Sequence, residues 1–97
     1  MKKYPLHEKV LEADLDGVQK AISQSVDLNE LDSLGNTALH WAVFGGYKYI
    51  VKVLLEAGAN PNVISKDGVN ATWRAQDFGL KEIEELIKSY GGKVITT

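Results

Sequence analysis

Two histidines and a pair of closely spaced aspartates are the residues of this sequence whose types could do chemistry. His7 and His40 lie 33 residues apart, and imidazole is the side chain best suited to proton transfer or metal binding near neutral pH. Asp14 and Asp16 are separated by one residue and could offer oxygen ligands to a cation. The chain has no cysteine, which excludes disulfides, thiolate nucleophiles and cysteine-ligated metals.

None of these residues lies in a pattern that catalysis or metal binding requires. The sequence has no G-x-S-x-G nucleophile elbow, no glycine-rich phosphate loop and no metal-ligand cluster. For Asp14 and Asp16, solvated carboxylates in a loop between two helices are favoured over a metal pair. We therefore expect no catalytic residue, no metal, no cofactor and no enzymatic activity.

The composition is that of an ordinary globular chain, with 97 residues, of which 44% are hydrophobic and 25% are charged. This length fits one domain that folds without disulfides. The net charge of −2 and the lack of a basic run beyond Lys2-Lys3 argue against nucleic acid as a partner. The opening MKKYPLHEKV lacks the apolar stretch of a signal peptide, and no apolar run approaches a membrane span. We expect a cytoplasmic protein without a membrane partner.

The sequence repeats itself at a period of 33 residues, which is typical of stacked repeat proteins. The positions that coincide include Gly35 and Gly68, Ala42 and Ala75, Gly46 and Gly79, Leu6 and Leu39, His7 and His40, and Asn29 and Asn62.

The middle unit shows the local structure that each repeat is expected to form. A turn at residues 32–35 places Gly35 where a positive φ is needed. Thr37 can cap a first helix from about residue 38 to residue 44, and two glycines end it. A second helix is predicted from about residue 48 to residue 56, with its apolar residues on one face. Neither helix can bury its apolar face alone, but stacked helix pairs can.

The segment from Asp32 to Asn62, with GNTALHWA and IVKVLLEAGANPN, resembles an ankyrin repeat. The first unit, from PLHEKV to VDLN, and the third, from Gly68 to Gly91, follow the same pattern. The resemblance implies an all-α solenoid of three helix-turn-helix repeats with short hairpin-like loops. It implies one domain over residues 1–97, with repeats at about 2–31, 32–64 and 65–93 and a tail at 94–97.

The resemblance also implies a structural role for the histidines. Thr37 and His40 are expected to hydrogen-bond each other and nearby backbone, tying the turn to the first helix. His7 holds the equivalent position one repeat earlier. A catalytic or metal-binding pair is then not needed to explain why the two histidines recur.

Both ends of the stack are expected to be capped by polar residues, so that the three repeats form a complete small protein. Lys9 stands where later repeats carry a small alanine. Glu84 and Lys88 stand where the middle repeat carries Val51 and Leu55.

The first and third repeats depart from the pattern at three places. Thr72-Trp73 replaces Leu-His, so the third repeat is expected to lack the Thr–His tie. Ser25 replaces the usual glycine at the end of the first repeat. The tail from Gly92 to Thr97 is expected to be a loose end, although an extended segment that packs back or pairs with a partner is the alternative.

By resemblance, a partner protein would lie against the concave face, which the loop tips and the exposed sides of the first helices form. The positions carried over are Glu8, Leu11, Glu12, Ser33, Leu34, Asn36, Trp41, Phe44, Gly45, Lys66, Asp67, Val69, Arg74, Asp77 and Phe78.

Within this face, Trp41, Phe44 and Phe78 are predicted to form an apolar anchor, because aromatic and arginine residues are enriched at binding hot spots. Its expected charged rim consists of Glu8, Glu12, Arg74 and Asp77. The alternative is that Trp41 and Phe44 only cover the gap between repeats.

These features favour a non-catalytic interaction module, monomeric on its own, that binds and blocks or sequesters a partner protein. Residues 8–32 carry seven acidic residues against two lysines, a local charge of −5, which would attract a basic partner. A bacterial immunity protein that neutralises a cognate toxin is therefore one alternative. A self-assembling structural protein and an enzyme or small-ligand binder are the others.

Overall fold

The computed structural model describes residues 2–96, and this range contains six α-helices. None of the described helices is both long and apolar enough to cross a lipid bilayer. Each predicted repeat contains two of them, and the helices predicted in the middle repeat are confirmed, the first extending one residue further. The bounds are α1 Pro5–Leu11, α2 Leu15–Ser23, α3 Ala38–Gly45, α4 Lys48–Glu56, α5 Ala71–Asp77 and α6 Lys81–Ser89.

The helices form two layers, as the predicted all-α solenoid requires. The first helices of the repeats, α1, α3 and α5, pack side by side, and the second helices, α2, α4 and α6, do the same behind them. Each first helix also packs on the second helix of its own repeat. The described residues span about 30 × 25 × 20 Å.

The core lies between the layers and between successive repeats. Ala42 and Ala75 are fully buried, and their small side chains let neighbouring first helices approach closely. Leu39, Leu54 and Ile87 are among the largest fully buried side chains, and burying each of them stabilises the fold by about 1.5–3 kcal/mol.

The last repeat replaces part of this apolar surface with charge, as the sequence predicts. Glu84 and Lys88 take the positions of the buried Val51 and Leu55. Their side chains form an ion pair of 2.8 Å one turn apart on α6. The outer surface of α6 therefore carries a charged pair at the positions whose counterparts in α4 are buried.

The hairpin-like turns that precede α3 and α5 lie side by side. Gly35 and Gly68 both adopt positive φ, at 78° and 84°. The Lys66 amide donates to the Gly35 carbonyl at 2.9 Å, which joins the two turns. The turns and the first helices together form the face on which binding is predicted.

The first repeat reaches two left-handed conformations without glycine. Ala13 has φ 54° and Ser25 has φ 61°, whereas the equivalent positions of the middle repeat are Gly46 and Gly58. A side chain in this region of φ costs roughly 1–2 kcal/mol. The first repeat is therefore the more strained version of the same fold.

Residues 93–96 of the tail are not a loose end, and for them this expectation from the sequence is wrong; Thr97 lies outside the described residues. Asn62 and Asn70 hold it: the Lys93 amide donates to Asn62 Oδ1 at 2.9 Å, and the Ile95 amide donates to Asn70 Oδ1 at 3.2 Å. The backbone amide of Asn70 donates in turn to the Ile95 carbonyl, and an antiparallel bridge joins Val69 to Thr96. The tail is fixed because two side-chain amides satisfy its backbone groups.

Candidate protein-binding surface

Thr37 and His40 form the predicted tie at the start of α3. The Thr37 amide donates to His40 Nδ1 at 3.1 Å, and Thr37 Oγ1 accepts from the His40 amide at 3.2 Å. Because Nδ1 accepts a backbone proton, the ring proton lies on Nε2, which donates to the Val69 carbonyl at 3.2 Å. The prediction is confirmed, and the tie also extends to the next repeat.

Burial is the main influence on His40. It lowers the pKa of the imidazole below its usual value, and the nearby Arg74 charge acts in the same direction, while the hydrogen bond to Val69 opposes them. The ring is therefore neutral at physiological pH, as its role as an acceptor for Thr37 requires.

His7 and Asp14 also have structural partners, whereas Asp16 is exposed in the first turn of α2 and not in the loop expected from the sequence. His7 is buried, and its Nε2 lies 3.0 Å from the Glu30 carbonyl and 3.1 Å from the Asn36 carbonyl. Asp14 caps α2 by accepting from the Gly17 amide at 2.9 Å. Within residues 2–96, no three histidine, aspartate or glutamate side chains form a group that could hold a metal ion.

A cluster of rings lies where the second and third repeats meet. The ring centroids of Trp41 and Phe44 are 5.5 Å apart, and those of Phe44 and Phe78 are also 5.5 Å apart, in an edge-to-face arrangement. The Arg74 guanidinium lies 4.9 Å from the Phe44 ring and 5.6 Å from the Phe78 ring. Trp41, Phe44, Arg74 and Phe78 are termed the aromatic patch.

The helices explain why the two phenylalanines meet. Phe44 lies near the end of α3, and Phe78 directly follows α5 at the equivalent end of the neighbouring helix. Their side chains remain 39% and 43% exposed. They are thus fixed in position by each other while still presenting ring surface to solvent.

Arg74 is part of the patch rather than of its rim, which corrects the sequence-based expectation. Its side chain is only 16% exposed, because it packs against the rings. Its guanidinium also lies 3.5 Å from Asp67 and 3.8 Å from Asp77. Stacking on aromatic rings, with carboxylates nearby, holds this long side chain in one place.

Trp41 supports the turn, a role that the sequence pattern did not indicate. Its indole N–H donates to Asp32 Oδ2 at 2.7 Å, and the other Asp32 oxygen accepts from the Leu34 and Asn36 amides at 3.0 and 3.1 Å. The aspartate at the start of a turn was the available signal, since such side chains commonly bond amides further along. Trp41 thus has a structural role of its own, beside the one predicted for it in the apolar anchor.

Partial burial is the largest influence on Asp32 and acts to raise its pKa. Three hydrogen bonds act in the opposite direction, and they come from the Asn36 amide, the Trp41 indole and the Leu34 amide. Together with the nearby His7, they outweigh the effect of burial, so the pKa of Asp32 is lowered. The carboxylate is therefore ionised at neutral pH.

Two of the predicted contact residues do not offer their side chains to a partner. Asn36 and Val69 are buried, because their carbonyls accept from His7 and His40 and draw these parts of the turns inward. This corrects the assignment for both residues. The remaining predicted positions outside the aromatic patch are exposed: Glu8, Leu11, Glu12, Ser33, Leu34, Gly45, Lys66, Asp67 and Asp77.

A groove lies beside the aromatic patch, between α1 and the turn before α3. Its volume is about 510 Å³, and it is termed the first-repeat groove. Half of its lining was predicted from the sequence, and Asp32, His7, Tyr4 and the N-terminal lysines were not. The lining residues are Lys2, Lys3, Tyr4, His7, Glu8, Leu11, Asp32, Ser33, Leu34 and Trp41.

Residues 4–97 match a family model described as ankyrin repeats in three copies. Over 50 residues the chain is 46% identical to osteoclast-stimulating factor 1 of Gallus gallus, covering 52% of this chain and 25% of that protein. Over 66 residues it is 44% identical to palmitoyltransferase AKR1 of Lachancea kluyveri, covering 67% of this chain and 9% of that protein. The chain thus spans a quarter or less of these relatives.

Two solved structures resemble about nine-tenths of this chain. An ankyrin repeat domain from Acinetobacter baumannii is 36% identical with a TM-score of 0.87, covering 91% of this chain and 47% of that one. The Legionella effector AnkH is 31% identical, also with a TM-score of 0.87, covering 92% of this chain and 19% of that one.

Proposed function

This chain belongs to the ankyrin-repeat family, and on that premise we propose that it binds a partner protein through the aromatic patch. Ankyrin repeats generally serve as protein–protein interaction modules. The module is proposed to be non-catalytic, cytoplasmic and monomeric on its own. It acts by covering the partner's surface, so that it blocks or sequesters that partner.

The observation that carries this proposal is the exposure of Phe44 and Phe78. Rings that are two-fifths exposed and adjacent form an apolar surface, and such surfaces on proteins commonly mark interaction sites. Arg74, stacked between them, adds the residue type most enriched with aromatics at hot spots.

The patch is suited to binding because it is already ordered. Each ring is in contact with its neighbour, and the helices beneath are held by the Thr37–His40 tie and its bond to Val69. Little side-chain or backbone freedom is therefore lost when a partner binds, and that loss is one of the main costs of association.

A basic toxin is a second candidate partner, in which case the chain would act as an immunity protein. The observation that favours it is the excess of acidic residues between Glu8 and Asp32. Glu8 on α1 and Glu12 directly after it are both exposed. Opposite charge would speed the encounter with a basic enzyme more than it would tighten the complex.

The test is affinity capture from lysate of the source cell with three forms of the protein. They are the wild type, the Phe44→Ala/Phe78→Ala double variant and a Tyr49→Ala control. Tyr49 is 71% exposed on α4, in the other helix layer. Trp41 is left unchanged because its replacement would release Asp32 and disturb the turn.

We expect one dominant protein to be retained by the wild type and by Tyr49→Ala, and to be lost with the double variant. Equal retention by all three forms would contradict the proposal. A toxic enzyme as the retained protein would favour the immunity role, and a non-toxic one would exclude it.

A further inference from the structure

The first-repeat groove contains two carboxylates without a cationic partner among the described residues. Glu8 and Asp32 both line it, and neither belongs to any of the ion pairs formed within residues 2–96. The donors to Asp32 are neutral N–H groups, which stabilise its charge without cancelling it.

The lysines at one end of the groove do not neutralise both carboxylates. Lys2 is paired with Glu30, and its ammonium lies 5.5 Å from the centre of the Tyr4 ring. Lys3 is exposed and can offset only one of the two negative charges. With Lys2 paired to Glu30, the charges of Lys3, Glu8 and Asp32 leave the groove with an excess of one negative charge.

The walls of the groove are apolar where they project most. Leu11 on α1 is 54% exposed, and Leu34 in the facing turn is 64% exposed. Trp41 also lines the groove. A ligand that fits must therefore bring apolar groups for the leucines and a positive charge for the carboxylates.

Arginine meets these requirements better than other side chains. Its planar guanidinium can stack on an indole while donating two parallel hydrogen bonds to a carboxylate, and its methylene stem packs on apolar surface. An acidic segment would be repelled, and a purely apolar one would leave both charges unpaired.

We propose that the first-repeat groove receives an arginine of an extended segment of the partner protein, with apolar neighbours that pack on Leu11 and Leu34. This rests on the proposed function, since it names the chemistry of the partner beside the aromatic patch. The guanidinium lies against Trp41 and pairs with Glu8 and Asp32.

The test uses the tripeptide N-acetyl-Leu-Arg-Leu-amide as the probe, titrated into the ¹⁵N-labelled full chain and followed by NMR. The sequence has two tryptophans, so the indole N–H signal of Trp41 reports on the groove and that of Trp73 is an internal control. The matched peptide carries citrulline, a neutral analogue of arginine. The variants are Glu8→Gln and, as a control on the exposed side of α6, Glu85→Gln.

We expect the arginine peptide to shift the Trp41 signal in a saturable manner and to leave Trp73 unchanged. The citrulline peptide should bind about tenfold more weakly, because it loses charge-assisted bonds. Glu8→Gln should weaken binding of the arginine peptide about threefold, as for one partly exposed ion pair, and Glu85→Gln should not.

Three results would overturn the proposal: no shift at Trp41, equal binding of the two peptides, or equal effects of the two glutamate variants. These results are separate from the capture experiment. If the titration fails while capture still needs Phe44 and Phe78, only the groove assignment falls. If the titration succeeds but capture does not depend on Phe44 and Phe78, the role of the aromatic patch is wrong and the groove assignment stands.

Discussion

The second and third repeats start their first helices with different chemistry at the same position. In the second repeat, the Thr37 hydroxyl caps α3 by accepting from the His40 amide, and the His40 ring accepts from the Thr37 amide. Both hydrogen bonds therefore form within the first turn of the helix. In the third repeat, Asn70 caps α5 by accepting from the Trp73 amide at 2.9 Å, and Trp73 has no equivalent return bond. The sequence-based prediction that the third repeat lacks the Thr–His tie is confirmed.

The difference lies in what each cap reaches beyond its own helix. His40 bonds the Val69 carbonyl in the following repeat. Asn70 instead holds the tail, accepting from the Ile95 amide and donating to the Lys93 carbonyl. A side-chain amide has both a donor and an acceptor, so one buried residue can cap a helix and fix a distant segment. The third repeat is therefore expected to depend on the tail for its stability.

The largest effect is expected for Asn70→Ala. Losing the cap costs about 1 kcal/mol, and losing the two side-chain bonds to the tail costs about 1 kcal/mol each. We therefore expect the free energy of unfolding to fall by about 3 kcal/mol, measured by urea denaturation.

A truncation after Gly92 separates the two parts of this effect. In the truncated chain the tail bonds are already absent, so Asn70→Ala should cost only the cap, about 1 kcal/mol. If Asn70→Ala lowers the free energy of unfolding equally with and without the tail, the bonds between Asn70 and the tail do not stabilise the fold.

The second repeat should respond to pH through His40. The pKa of His40 is lowered in the folded protein, mainly by burial, so the unfolded chain binds a proton more readily. Protonation of His40 therefore does not reduce the free energy of unfolding above the pKa of an unfolded histidine, which is about 6.5. The free energy of unfolding should fall as the pH drops below that value, by at most about 1.4 kcal/mol per pH unit for one proton.

The control for this prediction is His40→Gln, because other groups also titrate in acid. The wild type should lose more stability than the variant between about pH 6.5 and about pH 5. Parallel pH profiles for the two proteins would show that His40 keeps its ordinary pKa in the fold.

The smallest change in the free energy of unfolding is expected in the first repeat, at its two residues with positive φ. Ala13→Gly and Ser25→Gly would relieve positive φ at 54° and 61°, worth roughly 1–2 kcal/mol each. The greater freedom of glycine in the unfolded chain offsets about 0.5–1 kcal/mol. Each substitution should therefore raise the free energy of unfolding by about 0.5 kcal/mol in urea titrations, and a loss of stability would contradict this account of strain.

The sequence predicts the helices well because their signals are local. The cap, the glycines and the spacing of apolar residues lie within a few positions of each helix, and α4 has the predicted bounds. The bond between Thr37 and His40 is also local, and the family resemblance implies it. These features require no knowledge of how the repeats face one another.

The features that the sequence did not reveal depend on contacts between distant segments. The bond from His40 to Val69 spans 29 residues, and the one from the Ile95 amide to Asn70 spans 25. Nothing in the sequence near the tail points to Asn70, so a tail that packs back was only the alternative to a loose end. Arg74 was placed on the rim for the same reason, since its burial depends on rings from two different repeats.

The central claim is that the aromatic patch binds a partner and is not needed for folding. The most direct measurement is calorimetric titration of the captured partner against the wild type, Phe44→Ala/Phe78→Ala and Tyr49→Ala, with urea unfolding of each. Each half-exposed ring should contribute about 1 kcal/mol to stability, so the double variant remains folded. We predict that it binds at least about 30-fold more weakly, while Tyr49→Ala binds like the wild type. An unchanged affinity of the folded double variant would contradict the account.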